Sequence, residues 1–381
     1  MSASPLTDVA HRLFENVDND RGDLTDRVMR VPSELYRDPK QWQLELDAIF
    51  RSMPVVTALS VDIAEAGDYT SITLAERPVF TIRGADGIAR TFLNACRHRG
   101  AEVAPCGLGR ARRLTCPYHS WVYDTTGALV GVPQREQFGD IDVTGLIELP
   151  TAERAGLVFA ILTPDAHLDL DEWLGDMGGA LEMLELDKLY PYGVITELVS
   201  GNWKSTADGF LDGYHIGYLH RASIGDKAIT NRNTYDLFGP HVRIGFANKP
   251  IIEMGPTPVE GWDLPSAMSL VHYVFPNISL SGQPGRPMMM SRLHPGPTVD
   301  RCTVQTYHYS RTPIDSDEKR HEMEARRELY TAVTRDEDFV TVLGVNRNLA
   351  ALGDRPFLFG RNESGNQNLH TWVAKLTGTE I

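Results

Sequence analysis

The sequence predicts an α+β protein in which a small all-β module precedes a larger domain of helices and antiparallel strands. Three observations support this fold class. Short β-prone runs follow one another in residues 55–93, and helical spacing of apolar residues begins after Pro164. Strand-like runs then return in residues 242–309, before a charged helix. With 381 residues, the chain is long enough for two to three domains.

The first elements in chain order are a helix and a series of strands. Residues 33–50 look helical, and VVTALSVD, YTSITLA and PVFTIRG then read as strands, with Asp86-Gly87 typical of a hairpin turn. Further strands are predicted at Arg113–Cys116, Trp121–Asp124 and Ala155–Leu162. We therefore predict three regions: an N-terminal helical segment at 1–40 that packs with the larger domain, the all-β module at 41–163, and the larger domain at 164–381.

The sequence of the larger domain contains both helix-like and strand-like patterns of apolar residues. DLDEWLGDMGGALEMLELDKL carries apolar residues at helical spacing, whereas VRIGFAN, HYVFPNISLS and RCTVQTYHYS read as strands. Asp315 with Glu318 resembles a capping pair that opens a helix through about Val333. No nucleotide-binding glycine loop is found.

Charge and cysteine content narrow the possible partners and compartment. The 51 acidic and 37 basic residues give a net charge of -14, which argues against binding to nucleic acid or to an anionic membrane. The start of the chain is polar and lacks the pattern of a signal peptide, and no apolar run is long enough to span a membrane. We therefore expect a cytoplasmic protein, in which closely spaced cysteines favour metal binding over disulfides.

Two cysteine-histidine pairs lie close together, in CRHRG and CPYHSW. Cys96 and His98 form the first pair, and Cys116 and His119 form the second. Two thiolates and two imidazoles can hold one tetrahedral zinc, or a [2Fe–2S] cluster with the cysteines on one iron and the histidines on the other. Zinc sites more often have two residues in both spacers, so the single residue after Cys96 counts against zinc. The remaining cysteines, Cys106 and Cys302, are predicted to be small buried apolar residues.

A second histidine pair occurs in NWKSTADGFLDGYHIGYLH. His215 and His220 are five residues apart, and a regular helix would leave them about 140° apart around its axis. Gly217 lies between them, so a bulged or ending helix would bring them together. Asp208 and Asp212 precede them, and two histidines with one carboxylate form the facial triad of non-heme iron(II) oxygenases.

Taken together, CRHRG, CPYHSW, NWK and DGYH resemble the catalytic (alpha) subunit of a Rieske non-heme iron oxygenase of the aromatic-ring-hydroxylating type. The resemblance implies a Rieske [2Fe–2S] module followed by an α+β catalytic domain with an antiparallel sheet and helices. It places the cluster on the four residues of the cysteine-histidine pairs, Cys96, His98, Cys116 and His119. It places a mononuclear Fe(II) on His215, His220 and the aspartate of a Glu-Asp pair, which Glu337-Asp338 matches. Asp338 is therefore the predicted third ligand, with Asp336 as the alternative.

The resemblance also assigns a role to Asp212. In this family, the carboxylate links a Rieske histidine of one subunit to an iron-ligating histidine of its neighbour, which would make His119 its partner and requires a ring-shaped oligomer. We expect a homotrimer, or an α3β3 assembly with a small subunit. Asp208 occupies a position at which some family members have asparagine. An ion pair with Lys204 would neutralise its negative charge.

The implied function is that of the terminal oxygenase component of a multicomponent system. Electrons from NAD(P)H would come through a reductase, with or without a ferredoxin, and O2 would be used to hydroxylate, dihydroxylate or dealkylate a small organic substrate, as in aromatic hydrocarbon catabolism. Two alternatives stay open. One is a Rieske electron-transfer protein without oxygenase activity, and the other is a zinc hydrolase that uses the second histidine pair.

Overall fold

The computed structural model describes residues 5–142, 144–283 and 285–381, which divide into two compact units. The larger unit contains the residues up to 49 together with 174–184 and 189–381, and the smaller unit contains 50–173 and 185–188. Within the described ranges, no helix is long and apolar enough to cross a membrane.

Strands and helices alternate along the described part of the chain. The strands are β1 Met29–Pro32, β2 Val55–Leu59, β3 Asp68–Leu74, β4 Arg77–Arg83, β5 Ala89–Leu93, β6 Gly107–Arg110, β7 Arg113–Thr115, β8 Val122–Asp124, β9 Leu129–Gly131, β10 Glu148–Leu149, β11 Thr151–Arg154, β12 Leu157–Ala160, β13 Tyr190–Pro191, β14 Thr196–Ser200, β15 Thr234–Phe238, β16 His241–Ala247, β17 Met268–Val274, β18 Ile278–Ser281, β19 Met288–Pro295, β20 Cys302–Ser310 and β21 Pro356–Phe359. The helices are α1 Pro5–Asp18, α2 Pro39–Glu45, α3 Leu170–Leu174, α4 Asp176–Glu182, α5 Trp203–Leu211, α6 Ile216–Leu219, α7 Ile251–Met254, α8 Leu264–Ala267, α9 Asp317–Val333, α10 Val340–Leu352 and α11 Ser364–Thr377.

The smaller unit is built from antiparallel sheets. Five strands pair in the order β10-β5-β4-β3-β6, and two three-stranded sheets have the orders β11-β12-β2 and β7-β8-β9. The turn between β4 and β5 contains Asp86-Gly87, where Gly87 has a φ of 79° and donates its N–H to the Gly84 carbonyl at 3.0 Å. The hairpin predicted from this dipeptide is therefore present.

The larger unit is organised around an eight-stranded antiparallel sheet. Its order is β13-β20-β19-β18-β17-β16-β15, and β14 pairs with the remaining part of β20. Every residue of β16 and β19 is buried, so both faces of the sheet are covered at its centre. Helix α1 packs through Val9 and Leu13 into an apolar cluster that includes Leu270 of β17. The mixture of helices and antiparallel sheets confirms the predicted α+β class.

Two local predictions for helices are corrected. The helix expected across residues 169–189 is interrupted at Gly175, whose φ of 48° separates α3 from α4. Helix α9 begins at Asp317, and its N-cap is Ser316, whose hydroxyl accepts a hydrogen bond from the Lys319 N–H at 3.2 Å. The Asp315–Glu318 capping pair was therefore wrong, because a serine one residue later supplies the acceptor that the first turn needs.

Candidate metal centres

Two loops of the smaller unit are closed by the same type of backbone hydrogen bond, from an N–H four residues later to the carbonyl of a cysteine. After β5, the N–H of Gly100 donates to the Cys96 carbonyl at 2.8 Å, and between β7 and β8 the N–H of Ser120 donates to the Cys116 carbonyl at 3.0 Å. Both donors have a positive φ, 78° at Gly100 and 57° at Ser120. Each loop therefore turns back on itself tightly and carries a cysteine at its start, with a histidine two or three residues later.

The histidine rings of these two loops meet each other. The ring centroids of His98 and His119 are 4.5 Å apart, and Trp121 stacks on His98 at 4.9 Å with an interplanar angle of 9°. The Nδ1 atoms of both histidines are buried and have no hydrogen-bond partner. Cys96 and Cys116 are buried free thiols. Because unpaired buried polar atoms are costly, these four side chains fit a bound metal group.

The arrangement fits a two-iron cluster better than a single zinc ion. A tetrahedral zinc lies about 2.0–2.3 Å from each ligand atom, so its ligand atoms lie within about 4 Å of one another. No three of these four side chains bring their ligand atoms within 4.8 Å of one another. A [2Fe–2S] cluster holds its cysteine pair and its histidine pair on different irons, which allows the larger separation.

Tyr123 is a residue of this site that the sequence reasoning missed. Its hydroxyl accepts a hydrogen bond from the Arg97 N–H at 3.0 Å and lies 3.3 Å from Cys96 Sγ. When Cys96 binds a metal as a thiolate it cannot donate, so the hydroxyl would then donate to the sulfur. Burial, and then the hydrogen bond to Cys96, raises the pKa of Tyr123, which keeps the hydroxyl protonated as this donation requires.

The other two cysteines lie outside this site. Cys302 is fully buried, and burial raises the pKa of its thiol to about 12, as expected for a cysteine that serves as a small apolar residue. Cys106 is exposed, so the prediction that it is buried was wrong. It lies immediately before β6, a strand with alternating exposed residues at the edge of its sheet.

The second candidate centre lies in the larger unit and brings together three predicted residues. The Nε2 atoms of His215 and His220 are 3.1 Å apart. Asp338 Oδ1 lies 3.1 Å from His220 Nε2 and 3.6 Å from His215 Nε2. Among the described residues, this trio is the one group of histidine, cysteine and carboxylate ligands that is close enough to share a metal ion.

An irregular backbone brings the two histidines together, as the sequence reasoning expected. Helix α5 ends at Leu211, and the Asp212 side chain then accepts hydrogen bonds from the N–H groups of Tyr214 at 2.6 Å and His215 at 3.3 Å. A helix of four residues, α6, follows His215 and ends at Leu219, directly before His220. The break between α5 and α6 removes the angular separation that a continuous helix would impose.

Each histidine has a carboxylate at its other ring nitrogen. Asp212 Oδ2 lies 3.2 Å from His215 Nδ1, and Glu337 Oε2 lies 2.6 Å from His220 Nδ1. A carboxylate in this position holds the proton on Nδ1 and leaves Nε2 free to bind a metal. Burial lowers the pKa of His220, but hydrogen bonds and charge from Asp338 and Glu337 raise it by more. The centre therefore favours a positive charge.

The two adjacent carboxylates reach His220 from a π-helical turn. This turn, Thr334–Phe339, follows α9 directly and contains both Glu337 and Asp338. Asp336, the alternative ligand considered from the sequence, is instead bonded to Arg335 at 2.6 and 2.7 Å on the surface. In the sequence, Glu337 stands out only as part of the Glu-Asp pair, and no spacing rule indicates its contact with His220.

Asp208 is held by a buried polar network and not by Lys204. Its carboxylate accepts a hydrogen bond from the Tyr36 hydroxyl at 2.9 Å and lies 2.9 Å from His370 Nε2. Lys204 instead pairs with Glu45 at 2.5 Å, and both side chains are almost fully buried. The predicted Asp208–Lys204 ion pair was wrong because α2 supplies a closer acid, and α11 supplies the partner for Asp208.

The trio lies in the wall of a large cavity. The cavity has a volume of about 770 Å³, and its lining includes His215, His220 and Asp338. Its apolar lining includes Phe210, Ile216, Phe246, Leu270, Met289 and Val333. A volume of this size is within the ordinary range for small-molecule sites, about 300–1,000 Å³. The cavity therefore offers space for an organic molecule beside the candidate metal site.

Comparison with known proteins identifies the family. A model of the ring hydroxylating alpha subunit (catalytic domain) matches residues 170–379, and a model of the Rieske [2Fe-2S] domain matches residues 53–151. The first match covers more than half of the chain. The chain therefore belongs to the family of ring-hydroxylating alpha subunits, as predicted from its motifs. The Rieske domain implies a [2Fe–2S] cluster, and the catalytic domain implies a mononuclear iron.

Individual relatives agree with this assignment. The chain is 35% identical over 198 residues to the chlorobenzene dioxygenase subunit alpha of Cupriavidus sp. (strain PS12), covering 50% of this chain and 44% of the relative. It is 32% identical over 270 residues to the biphenyl 2,3-dioxygenase subunit alpha of Rhodococcus jostii (strain RHA1), covering 64% of this chain and 58% of the relative. The chain thus spans about half the length of the curated relatives that it matches.

Solved structures support the fold. A quaternary ammonium Rieske monooxygenase superposes with a TM-score of 0.78 at 19% identity, covering 92% of this chain and 96% of the other. Naphthalene 1,2-dioxygenase from Rhodococcus sp. superposes with a TM-score of 0.74 at 21% identity, covering 99% of both chains. At these identities the likeness establishes the fold, and the activity of this chain has to be argued from its own site.

Proposed function

We propose that this protein is the terminal oxygenase component of a multicomponent Rieske system. It would use O2 and electrons from NAD(P)H to hydroxylate, dihydroxylate or dealkylate a small organic substrate. The observation that carries the proposal is the trio of His215, His220 and Asp338 in the wall of a cavity large enough for an organic molecule. Three protein ligands leave coordination positions open for oxygen and substrate chemistry.

The geometry of the two centres supports the following ligands. Cys96, His98, Cys116 and His119 would hold the [2Fe–2S] cluster, with the two buried Nδ1 atoms as the histidine donors. His215, His220 and Asp338 would hold Fe(II) through Nε2, Nε2 and Oδ1. When bound, the cluster supplies electrons one at a time, and the mononuclear iron supplies oxygen activation.

The side chains around the trio have distinct tasks. Asp212 and Glu337 hold the Nδ1–H protons of His215 and His220, which keeps both Nε2 lone pairs directed at the same point. Asp338 contributes the negative charge that favours a divalent cation over water. The apolar lining of the cavity binds the body of the substrate and limits the access of bulk water.

Electron delivery gives Asp212 its second task. We infer that this carboxylate bridges His215 to His119 of a neighbouring subunit, which requires a ring such as a homotrimer or an α3β3 assembly with a small subunit. Inter-subunit electron transfer is described for a solved quaternary ammonium Rieske monooxygenase that is 21% identical to this chain, which supports this arrangement. A reductase, with or without a ferredoxin, would reduce the cluster.

The substrate is proposed to be aromatic because the named relatives include dioxygenases for benzene, chlorobenzene and biphenyl. One relative is instead an N-demethylase of N,N-dimethyl phenylurea, so dealkylation stays within the proposal. Four free cysteines agree with a reducing compartment, and we place the protein in the cytoplasm.

Metal analysis with a turnover assay tests this function. Anaerobically purified protein should contain about three irons and two acid-labile sulfides per chain and show a Rieske-type electron paramagnetic resonance signal after reduction. Reduced protein mixed with O2 and an aromatic substrate should form oxygenated product. Zinc without sulfide, or activity without reductant and oxygen, would contradict the proposal and favour a hydrolase. If His215→Ala left every function intact, the protein would be an electron carrier.

A further inference from the structure

Three cationic side chains line the cavity that contains the metal trio. They are Lys227, Arg286 and Arg326. The chain as a whole carries a net charge of -14, so this concentration of positive charge is a local feature. Within the described part of the chain, none of the three forms an ion pair with a carboxylate. Their charge is therefore available to a ligand in the cavity.

Arg326 is the best defined of the three cations. Its guanidinium lies 4.9 Å above the Tyr330 ring, and its Nη2 donates to the Pro287 carbonyl at 3.3 Å. Its Nε is buried and has no hydrogen-bond partner. The ring and the carbonyl hold the guanidinium in place, while one buried donor stays unused. A buried unsatisfied donor is costly, and an anionic ligand would relieve that cost.

The acidic groups of the cavity do not cancel these cations. Asp212 and Asp338 belong to the candidate metal centre, where they serve the histidines. Glu322 also lines the cavity, but it is paired with Lys319 at 2.8 Å. The contact of Arg326 with Pro287 also brings Arg326 close to the neighbouring Arg286. Away from the trio, the cavity is therefore cationic.

Arg326 is remote from the metal trio along α9. Arg326 lies in α9 and Asp338 in the turn that continues it, twelve residues further on. At the ordinary helical rise, this places their backbones roughly 18 Å apart along the axis. The lining also contains apolar side chains, among them Leu329 and Val333 of the same helix and Phe246.

We propose that the substrate of this enzyme is an elongated organic anion. Its carboxylate or sulfonate binds Arg326 and Arg286, and its apolar body reaches along the cavity to the metal trio. A body of two rings fits this separation better than a single ring does. The proposal rests on the oxygenase function proposed above and adds the chemical class of the substrate.

The test compares two molecules of the same shape that differ in charge. Biphenyl-4-carboxylate and biphenyl-4-carboxamide are titrated into the holoenzyme by isothermal titration calorimetry. The carboxylate should bind about tenfold more tightly than the amide, because one charge-assisted contact in a partly exposed site has that effect. The preference should shrink as ionic strength rises, since salt screens the attraction. Equal affinity for both molecules would overturn the proposal.

Variants test whether the cavity arginines cause the preference for the carboxylate over the amide. Arg326→Gln removes the charge and should abolish the preference for the carboxylate while leaving the affinity for the amide within about twofold. Arg347→Gln makes the same change at an exposed position outside the cavity and should keep the preference. If Arg326→Gln does not fold, Arg286→Gln, at an exposed residue, should reduce the preference by at least about threefold. An unchanged preference in a folded variant contradicts the assignment.

Product analysis separates this proposal from the oxygenase function. Reduced holoenzyme and O2 are mixed with biphenyl, with the carboxylate and with the amide. Oxygenation of the carboxylate in preference to the others supports both proposals. Oxygenation of the neutral compounds alone would contradict the proposal of an anionic substrate and would still support the oxygenase function. Selective binding of the carboxylate without any oxygenated product supports the anion site and contradicts the oxygenase function.

Discussion

The two metal centres are built in opposite ways. The candidate cluster site uses four residues of two short loops, and both loops close on a residue with positive φ, Gly100 or Ser120. The candidate mononuclear site uses two histidines that flank α6 and a carboxylate that follows more than a hundred residues later. Its histidines are also oriented by carboxylates from different segments, Asp212 and Glu337.

This difference predicts how each site fails. Local hydrogen bonds hold the loop site together, so changes far from it have little effect on it. Packing of distant helices holds the mononuclear site together, so buried changes far from the trio should disturb it. The following expectations test that contrast, beginning with the largest effect.

Removal of one ligand should empty one centre and leave the other intact. His220→Ala should lower the iron content from about three to about two per chain, keep two sulfides and abolish turnover. Cys116→Ala should remove both sulfides and leave about one iron. His321→Ala, at an exposed histidine, should change neither count. Joint loss of both centres in either variant would show that they do not form independently.

A buried ion pair beneath α5 should matter greatly to the larger unit. Glu45→Gln leaves the ammonium of Lys204 buried without its charge partner, and this should cost about 3–5 kcal/mol of unfolding free energy. Denaturant unfolding measures the loss. Glu185→Gln breaks an exposed ion pair of the same type, with Lys188, and should cost less than about 1 kcal/mol. Similar costs for the two variants would contradict the importance of distant packing.

The carboxylate that orients His220 should set the iron affinity. Glu337→Ala should weaken Fe(II) binding by roughly 10- to 100-fold, whereas Glu337→Gln should lose less, because an amide oxygen can still accept from Nδ1. Chelator competition measures both. Asp336→Asn is the matched control, since its carboxylate pairs with Arg335 on the surface. An Asp336→Asn loss as large as that of Glu337→Ala would mean that general negative charge sets the affinity.

Glu363 should make the larger unit less stable at higher pH. Burial, followed by the charges of Asp212 and Asp208, raises its pKa from 4.5 to about 7. The folded state thus binds this proton more tightly than the unfolded state, and stability is lost as the pH rises from about 4.5 through 7. At pH 8, Glu363→Gln should be more stable than the parent by about 1 kcal/mol, after a discount for solvent exposure.

Thermal unfolding at pH 5 and pH 8 measures this effect. The gain of Glu363→Gln should be much smaller at pH 5, where the parent carboxyl is largely protonated in the folded state. Glu34→Gln, at an exposed position, should show no such pH-dependent gain. A gain of equal size at both pH values would assign the effect to packing and not to charge.

Substitutions at the two positive-φ residues that close the cluster loops, Gly100 and Ser120, should change the stability of the smaller unit in opposite directions. Gly100→Ala meets no atom within 4 Å, so its cost of about 1 kcal/mol is conformational, from a φ of 78°. Ser120→Gly relieves a positive φ and should be neutral or stabilising by about 0.5 kcal/mol. Unfolding of the smaller unit measures both changes. Destabilisation by Ser120→Gly would show that the serine side chain has a role beyond the turn.

Much of the fold could be predicted from the sequence because it depends on local patterns. The hairpin at Asp86-Gly87 was predicted because a dipeptide that favours positive φ lies between two β-prone runs. The break at Gly175 was missed, because the apolar spacing continues through it and one residue with a φ of 48° ends the helix. Cys106 was misjudged because burial depends on what a strand packs against, and its edge position is not encoded nearby.

The sequence by itself determined the class of the protein and indicated six candidate ligands, and the resemblance to the family added Asp338, with Asp336 as the alternative. It could do so because closely spaced cysteines and histidines, and a histidine pair after an aspartate, are rare patterns with few chemical uses. Only the tertiary structure decided what surrounds them. Glu337 contacts His220, Tyr36 and His370 hold Asp208, and Arg326 lines the same cavity as the trio. These contacts join segments that are far apart in the chain. Packing between helices brings the segments together, and the local spacing of residues does not indicate that packing.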